Sequence, residues 1–147
     1  MRSQNKSFLG AVYTLARLGI GLLFLLAGSL KLFTPASASD FLSRLVSMGA
    51  GLRLALVAIL ALVEVTIGAL LIVNRSVPLA SFVSSILLLL FSALGVLLIG
   101  DPVPCGCFGE LIEQETDGIF LVRNLLLLFA SLFILKRCKE AETASAL

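Results

Sequence analysis

Histidine is absent from this chain of 147 residues, and methionine occurs only twice. Since these residues supply many of the ligands for zinc, haem and copper, their scarcity argues against a resident site for those metals. Charged residues are also scarce, at 14% of the chain against about 25% in soluble domains, whereas 59% of the residues are apolar. The net charge is only +2, and the Lys and Arg residues are too scattered to form a basic stripe for nucleic acid. The composition therefore predicts a single compact membrane domain over residues 1–147.

Four apolar stretches cover residues 8–30, 54–73, 77–99 and 119–135. A hydrocarbon core of about 30 Å takes roughly 20 such residues to cross. In lipid, only helices and closed β-barrels satisfy the hydrogen bonds of their own backbone. Barrel strands alternate in polarity, so these continuous apolar runs favour helices. The sequence thus predicts an all-α integral membrane four-helix bundle. A cleaved signal peptide is the alternative for the first stretch, although this stretch exceeds the usual apolar length of about 7 to 15 residues.

The positive charges indicate how the bundle is oriented in the lipid bilayer. Six lie at the two termini and in the connection between the second and third stretches: Arg2, Lys6, Arg75, Lys136, Arg137 and Lys139. Three lie in the first connection: Lys31, Arg44 and Arg53. The last connection, residues 100–118, has none. The positive-inside rule then predicts a protein of the cell (inner or plasma) membrane, with both termini cytoplasmic and residues 100–118 outside.

Two ionisable residues, Arg17 and Glu64, lie inside the apolar stretches. Each lies nine residues from the predicted cytoplasmic end of its stretch, so the two are expected at similar depth. Small residues share their helix faces and permit close approach: Gly21 and Gly28 beside Arg17, and Ala61 and Gly68 beside Glu64. We therefore predict an intramembrane Arg17–Glu64 pair. It would either fix the register of the helices or form a polar site for a proton or a quinone head group.

The most unusual segment is PVPCGCFGE, residues 102–110, which holds Cys105 and Cys107 on either side of Gly106. A disulfide between these cysteines would close a very small, strained ring, and strained, exposed disulfides are typically labile and catalytic. So short a ring constrains little of the unfolded chain, which makes a purely structural link a weaker explanation. Metal binding is weaker still, because the sequence offers no third ligand. The pattern favours thiol–disulfide exchange in the oxidising compartment outside the membrane.

Cys138 and Arg123 flank this candidate redox site along the chain. Cys138 follows the fourth stretch on the cytoplasmic side, and about 30 Å of helix separates it from the loop. It is therefore expected to remain an unpaired thiol, since bonded cysteines have α-carbons roughly 4.4–6.8 Å apart. Arg123, with Asn124 beside it, lies about one turn into the fourth helix. It would either extend to the membrane interface or favour the thiolate of a loop cysteine.

The arrangement resembles the DoxX/MauE superfamily, and most closely its methylamine-utilisation MauE branch. The resemblance rests on GLLFLLAGSLKLFTP, VEVTIGALLI, CGCFGE and LVRNLLLL, which together extend over nearly the whole chain. It implies a four-helix membrane protein that works with thioredoxin-like partners, and DoxX relatives are linked to quinone-coupled sulfur oxidation. The positions that carry over are Arg17, Lys31, Glu64, Cys105, Cys107, Phe108, Gly109, Arg123 and Asn124. Cys138 lies outside the match.

Three functions remain in competition at this point. The first is a membrane thiol–disulfide oxidoreductase in which Cys105 and Cys107 exchange with an extracytoplasmic thioredoxin-like protein, supported by Gly106, Phe108 and Gly109 and by a quinone held near Arg123. The second is a non-catalytic membrane anchor or assembly factor for a periplasmic redox system. The third is a small transporter that uses an Arg17–Glu64 site.

Overall fold

The computed structural model describes residues 2–97 and 118–145, and the side chains of residues 9–97, 118–140 and 143. Within these ranges the chain forms five helices: α1 (Arg2–Phe33), α2 (Ala36–Leu45), α3 (Ala50–Ile72), α4 (Val77–Leu97) and α5 (Gly118–Ser145). Four of them contain segments long and apolar enough to cross a membrane: Leu9–Phe33, Ala50–Ile72, Val77–Leu97 and Gly118–Glu140. Large apolar side chains such as Leu126 and Phe129 are more than half exposed, which suits a surface facing lipid. The predicted integral membrane four-helix bundle is confirmed.

The helices extend beyond the apolar stretches on which the prediction was based. Helix α3 begins at Ala50 and includes Arg53, and α5 continues to Ser145. Charged residues such as Arg, Lys and Glu are good helix formers, so the end of an apolar run does not end a helix. The short helix α2 was not predicted. It follows Pro35, whose φ of −76° suits a helix start, and it packs against α3.

Residues 73–76 reverse the chain between α3 and α4. Asn74 and Ser76 have positive φ angles of 60° and 48°, the left-handed conformation that asparagine tolerates better than most residues. The Arg75 N–H donates a hydrogen bond to the Leu70 carbonyl at 3.0 Å, which closes the turn over the end of α3. So short a connection makes α3 and α4 antiparallel.

Glycines bring the backbones of α1 and α3 into direct contact. A Cβ atom on Gly68 would lie 2.6 Å from the Gly21 carbonyl oxygen, and one on Gly28 would lie 2.7 Å from that of Ala61. These distances are too short for any side chain, so the backbones themselves are in contact. The prediction that these small residues allow close approach is confirmed.

Helices α4 and α5 are joined by a buried group of serines instead. The Ser84 and Ser131 hydroxyl oxygens are 2.6 Å apart, and Ser85 donates to Ser131 at 3.0 Å. Ser131 in turn donates to the Ser81 carbonyl at 3.0 Å. Such interhelical hydrogen bonds satisfy polar groups that have no water available.

The bundle has two ends, which differ in what they contain. At the termini end α1 begins, residues 73–76 join α3 to α4, and α5 finishes. At the cysteine-loop end α1 passes into α2, α4 ends at Leu97, and α5 begins at Gly118. The Gly95 backbone lies so close to the Phe120 ring that a Cβ atom on Gly95 would be 2.5 Å from Cε1. The end of α4 and the start of α5, which precede and follow residues 98–117 in the chain, are therefore packed together.

Candidate functional site

Part of the predicted redox site lies outside the described residues. Residues 98–117 include Cys105, Gly106, Cys107, Phe108 and Gly109. The thiol chemistry predicted for them stays a prediction, as does the expected effect of Arg123 on a thiolate. The described part of the site is the group of side chains inside the bundle at the cysteine-loop end.

Lys31 and Glu64 form a buried ion pair between α1 and α3. The Lys31 ammonium lies 3.0 Å from Oε1 and 2.8 Å from Oε2 of Glu64, so it donates to both carboxylate oxygens. Only 3% of the lysine side chain and 1% of the glutamate side chain are exposed. The Lys31 ammonium also lies 5.7 Å from the centroid of the Phe91 ring on α4, within the range of a cation–π contact. Three helices thus surround one buried charge pair.

The predicted Arg17–Glu64 pair is wrong. Arg17 Nη1 instead donates a 2.7 Å hydrogen bond to the Leu71 carbonyl oxygen. Leu71 is in the last turn of α3, where the final carbonyls have no helical partner and carry the negative end of the helix dipole. The polar site that a transporter would need from Arg17 and Glu64 is therefore not formed.

The register of the two helices explains the error. Gly21 contacts Gly68, and Gly28 contacts Ala61, which places Glu64 opposite the part of α1 between these glycines and beyond the reach of Arg17. More than two helical turns of α1, on the order of 12 Å, separate Arg17 from that level. Counting from the ends of the apolar stretches gave a different register, because α1 begins six residues before its stretch, whereas α3 ends within its stretch, at Ile72.

The direction of the side chains explains why Lys31 takes the place of Arg17. Helical side chains lean toward the N-terminus of their own helix. Because α1 and α3 are antiparallel, Lys31 leans back toward Gly28 while Glu64 leans toward Ala61, which faces Gly28. The two charged groups therefore converge. Lys31 follows the first apolar stretch and was therefore assigned to the first connection. Its spacing of three residues from Gly28 nevertheless puts it on the glycine face of α1.

Arg123 and Asn124 lie in the second turn of α5 and approach this pair from the other side of the bundle. The Arg123 guanidinium carbon is 5.5 Å from the centroid of the Phe120 ring, so the cation stacks on an aromatic ring of its own helix. Asn124 is 4% exposed, and its amide nitrogen Nδ2 has no hydrogen-bond partner among the residues that the structure describes. An unpaired buried amide is rare in proteins, so Asn124 is an unusual polar side chain.

A small polar chamber connects these groups. Its volume is about 40 Å³, and its polar lining residues are Lys31, Glu64, Arg123 and Asn124. A larger pocket of about 250 Å³ lies between α2, α3, α4 and α5 and is lined almost entirely by apolar side chains. Lys31 and Phe91 line both cavities, so the two adjoin. Phe91 had not been singled out from the sequence, because a phenylalanine in an apolar run carries no signal of its own.

Cys138 lies at the termini end and does not belong to this site. It is a free thiol, and its Sγ atom is 3.4 Å from the Tyr13 hydroxyl oxygen on α1. The contact joins the start of the first spanning segment to the last part of α5.

Comparison with known proteins identifies the family of the chain. No match to the chain was found among curated proteins or among solved structures. A family model described as "Methylamine utilisation protein MauE" matches residues 9–137. The match runs from the first spanning segment into the fifth helix and includes the segment with Cys105 and Cys107. This chain, a multi-pass membrane protein, belongs to the MauE family.

Proposed function

We propose that this protein is a membrane thiol–disulfide redox protein in which Cys105 and Cys107 exchange a disulfide with an extracytoplasmic thioredoxin-like protein. The observation that carries the proposal is the close CGC pair in the segment that joins α4 to α5. This segment is attached to the bundle end that contains the buried polar chamber. A structural staple of that size would contribute little to stability, whereas a strained, accessible pair is suited to exchange.

The exchange proceeds through a mixed disulfide. In the oxidising direction, a thiolate of the partner attacks one sulfur of the Cys105–Cys107 disulfide and the other sulfur leaves as a thiolate. The second partner thiolate then attacks the mixed disulfide, which leaves the partner oxidised and the Cys105–Cys107 pair reduced. The reverse sequence would reduce the partner. Either cysteine can be the one that is attacked first.

In the oxidising direction the reduced pair must pass on two electrons and two protons. A lipid-soluble quinone is the acceptor that we propose: it takes up both electrons and both protons, becomes a quinol, and leaves the disulfide re-formed. The bilayer that surrounds the spanning helices supplies such a molecule directly. The polar groups at the cysteine-loop end, including Arg123, offer hydrogen-bond donors for its oxygen atoms.

The orientation that this function needs is the one predicted from the positive charges, with residues 100–118 outside and both termini in the cytoplasm. It can be tested in intact cells with a membrane-impermeant maleimide after mild reduction. The reagent should label Cys105 and Cys107 and should spare Cys138 until the membrane is made permeable.

The exchange itself is tested by trapping. Cys105→Ser and Cys107→Ser variants are expressed separately, thiols are quenched with acid, and proteins joined to each variant by a disulfide are identified by mass spectrometry. One variant should accumulate a mixed disulfide with a thioredoxin-like protein, because its resolving cysteine is missing. Cys138→Ser serves as the matched control and should trap nothing. If neither loop variant traps a partner and the partner's oxidation state is unchanged in both, the protein is a non-catalytic anchor and the proposal fails.

A further inference from the structure

The two adjoining cavities at the cysteine-loop end differ sharply in size and polarity. The polar chamber of about 40 Å³ is large enough for one or two small groups, since a water molecule needs about 10–15 Å³ by the same measure. It is too small for a ring. The apolar pocket of about 250 Å³ exceeds the cavity of about 150 Å³ that accommodates benzene. The pair of cavities therefore suits a molecule with an apolar ring and a small polar atom at one edge.

The polar chamber is rich in hydrogen-bond donors. Asn124 Nδ2 is buried without a hydrogen-bond partner among the described residues, and the Lys31 ammonium and the Arg123 guanidinium are further donors in the chamber lining. The Lys31 ammonium already donates to both Glu64 oxygens, whereas the Asn124 amide has no acceptor among the described residues. An uncharged oxygen acceptor, such as a ring carbonyl, matches this need without adding a second buried negative charge beside Glu64.

The apolar pocket is placed to take its ligand from the membrane. Its walls include Phe41 of α2, Leu94 of α4 and Phe120 of α5. Two further lining residues, Leu56 and Leu90, are 38% and 49% exposed on helices that cross the bilayer. The lining thus continues to the lipid-facing surface, and a molecule dissolved in the bilayer can enter sideways between the helices.

We infer that the two cavities form one binding site for a lipid-soluble quinone, whose ring lies in the apolar pocket and whose carbonyl oxygen accepts a hydrogen bond from Asn124 in the polar chamber. Phe91, which lines both cavities, separates the two parts of the site and packs against the ring. The choice of a quinone rests on the proposed function, which requires this acceptor. The position of the site rests on the cavities and on Asn124 alone.

The site can be tested with a photoreactive benzoquinone that has a decyl tail, added to the purified full-length protein in lipid nanodiscs. Labelling should be saturable and should map to the part of α4 around Phe91 and Leu94. Asn124→Leu, which keeps the side-chain size and removes the donor, should weaken binding about tenfold. Leu94→Trp fills the apolar pocket and should abolish saturable labelling. Leu89→Trp, on the same helix but lining neither cavity, is the matched control and should bind as the wild type does.

Three further results decide the matter. Equal labelling of all these variants would mean that the probe only partitions into the lipid, and the inference would be overturned. Displacement by oleate at lower concentrations than by unlabelled decyl-benzoquinone would also overturn it, because the site would then prefer a fatty-acid anion. The Cys105→Ser/Cys107→Ser double variant should bind the probe normally. If the trapping experiment finds no thiol exchange while the probe still binds, the proposed function is wrong but the quinone site is supported.

Discussion

Near the termini end of the bundle the buried cation Arg17 binds a main-chain carbonyl, whereas near the cysteine-loop end the buried cation Lys31 binds a carboxylate. Both cations are on α1, and both act on α3. The Leu71 carbonyl that accepts from Arg17 is also approached by the Asn74 N–H at 3.3 Å, so this acceptor has a second donor. Glu64 has Lys31 as its donor on both oxygens. The stability of the cysteine-loop end therefore depends more on its cation than the stability of the termini end does.

The difference agrees with the proposal that the cysteine-loop end is the functional end of the bundle. At the termini end the Arg17 side chain donates a hydrogen bond to a carbonyl in the last turn of α3, which is a structural role. At the cysteine-loop end an ion pair, two cavities and an asparagine with no amide acceptor in the described part of the chain lie together. Intramembrane ionisable groups are costly, and they are most often retained where a ligand or a proton must be handled.

The largest effect is expected from Lys31→Met. Removing one member of a buried pair leaves an uncompensated charge, so we expect the free energy of unfolding to fall by about 3–5 kcal/mol. Arg17→Met is the matched comparison and should cost about 1–2 kcal/mol, because it leaves a neutral carbonyl that has another donor. The measurement is unfolding of the purified proteins by increasing SDS in mixed micelles, followed by circular dichroism. The Lys31→Met/Glu64→Leu double variant should recover most of the stability; equal losses for the two single variants would contradict the distinction between the ends.

An intermediate effect is expected where glycine backbones touch between these two cations. Gly68→Ala places a methyl group 2.6 Å from the Gly21 carbonyl oxygen, so α1 and α3 must move apart, at a cost of about 1–3 kcal/mol. Gly19→Ala is the control, since its new Cβ would have no described atom within 4 Å apart from its chain neighbours and the backbone of its own helix. It should be neutral or slightly stabilising. The same SDS titration measures both. A loss for Gly19→Ala as large as that for Gly68→Ala would show that helix contact is not the cause.

The smallest effect is expected from Ser131→Ala in the α4–α5 serine group. Hydrogen bonds between membrane helices contribute about 0.6 kcal/mol on average, because the unfolded helices also find partners in the membrane. Ser131 takes part in several such bonds, so a loss of about 1 kcal/mol is expected. Ser92→Ala is the control, because Ser92 donates only within its own helix, to Leu88. A loss above that of Gly68→Ala would mean that the serines hold the bundle together more firmly than the glycine contact does.

Much of the bundle was predictable because single residues carry strong signals in lipid. The four spanning segments follow from apolar length, and the close contact of Gly21 with Gly68 follows from small residues on the faces of two charged residues. The partner of Glu64 was not predictable by counting depth. A shift of two turns between α1 and α3 does not alter the apolar pattern of either helix. It does, however, decide whether Arg17 or Lys31 lies beside Glu64. Helix α2 was also missed, because its ten residues lie in a connection with no long apolar run.

The sequence by itself determined that the chain is an all-helical membrane protein with a close cysteine pair between its last two spans, because the cost of exposed backbone in lipid leaves few alternatives. Only the tertiary structure decided that Lys31 rather than Arg17 neutralises Glu64, and that Asn124 faces a chamber beside an apolar pocket. These features depend on where antiparallel helices come to rest against one another. That position is set by contacts between residues far apart in the chain, which a pattern along one helix does not record.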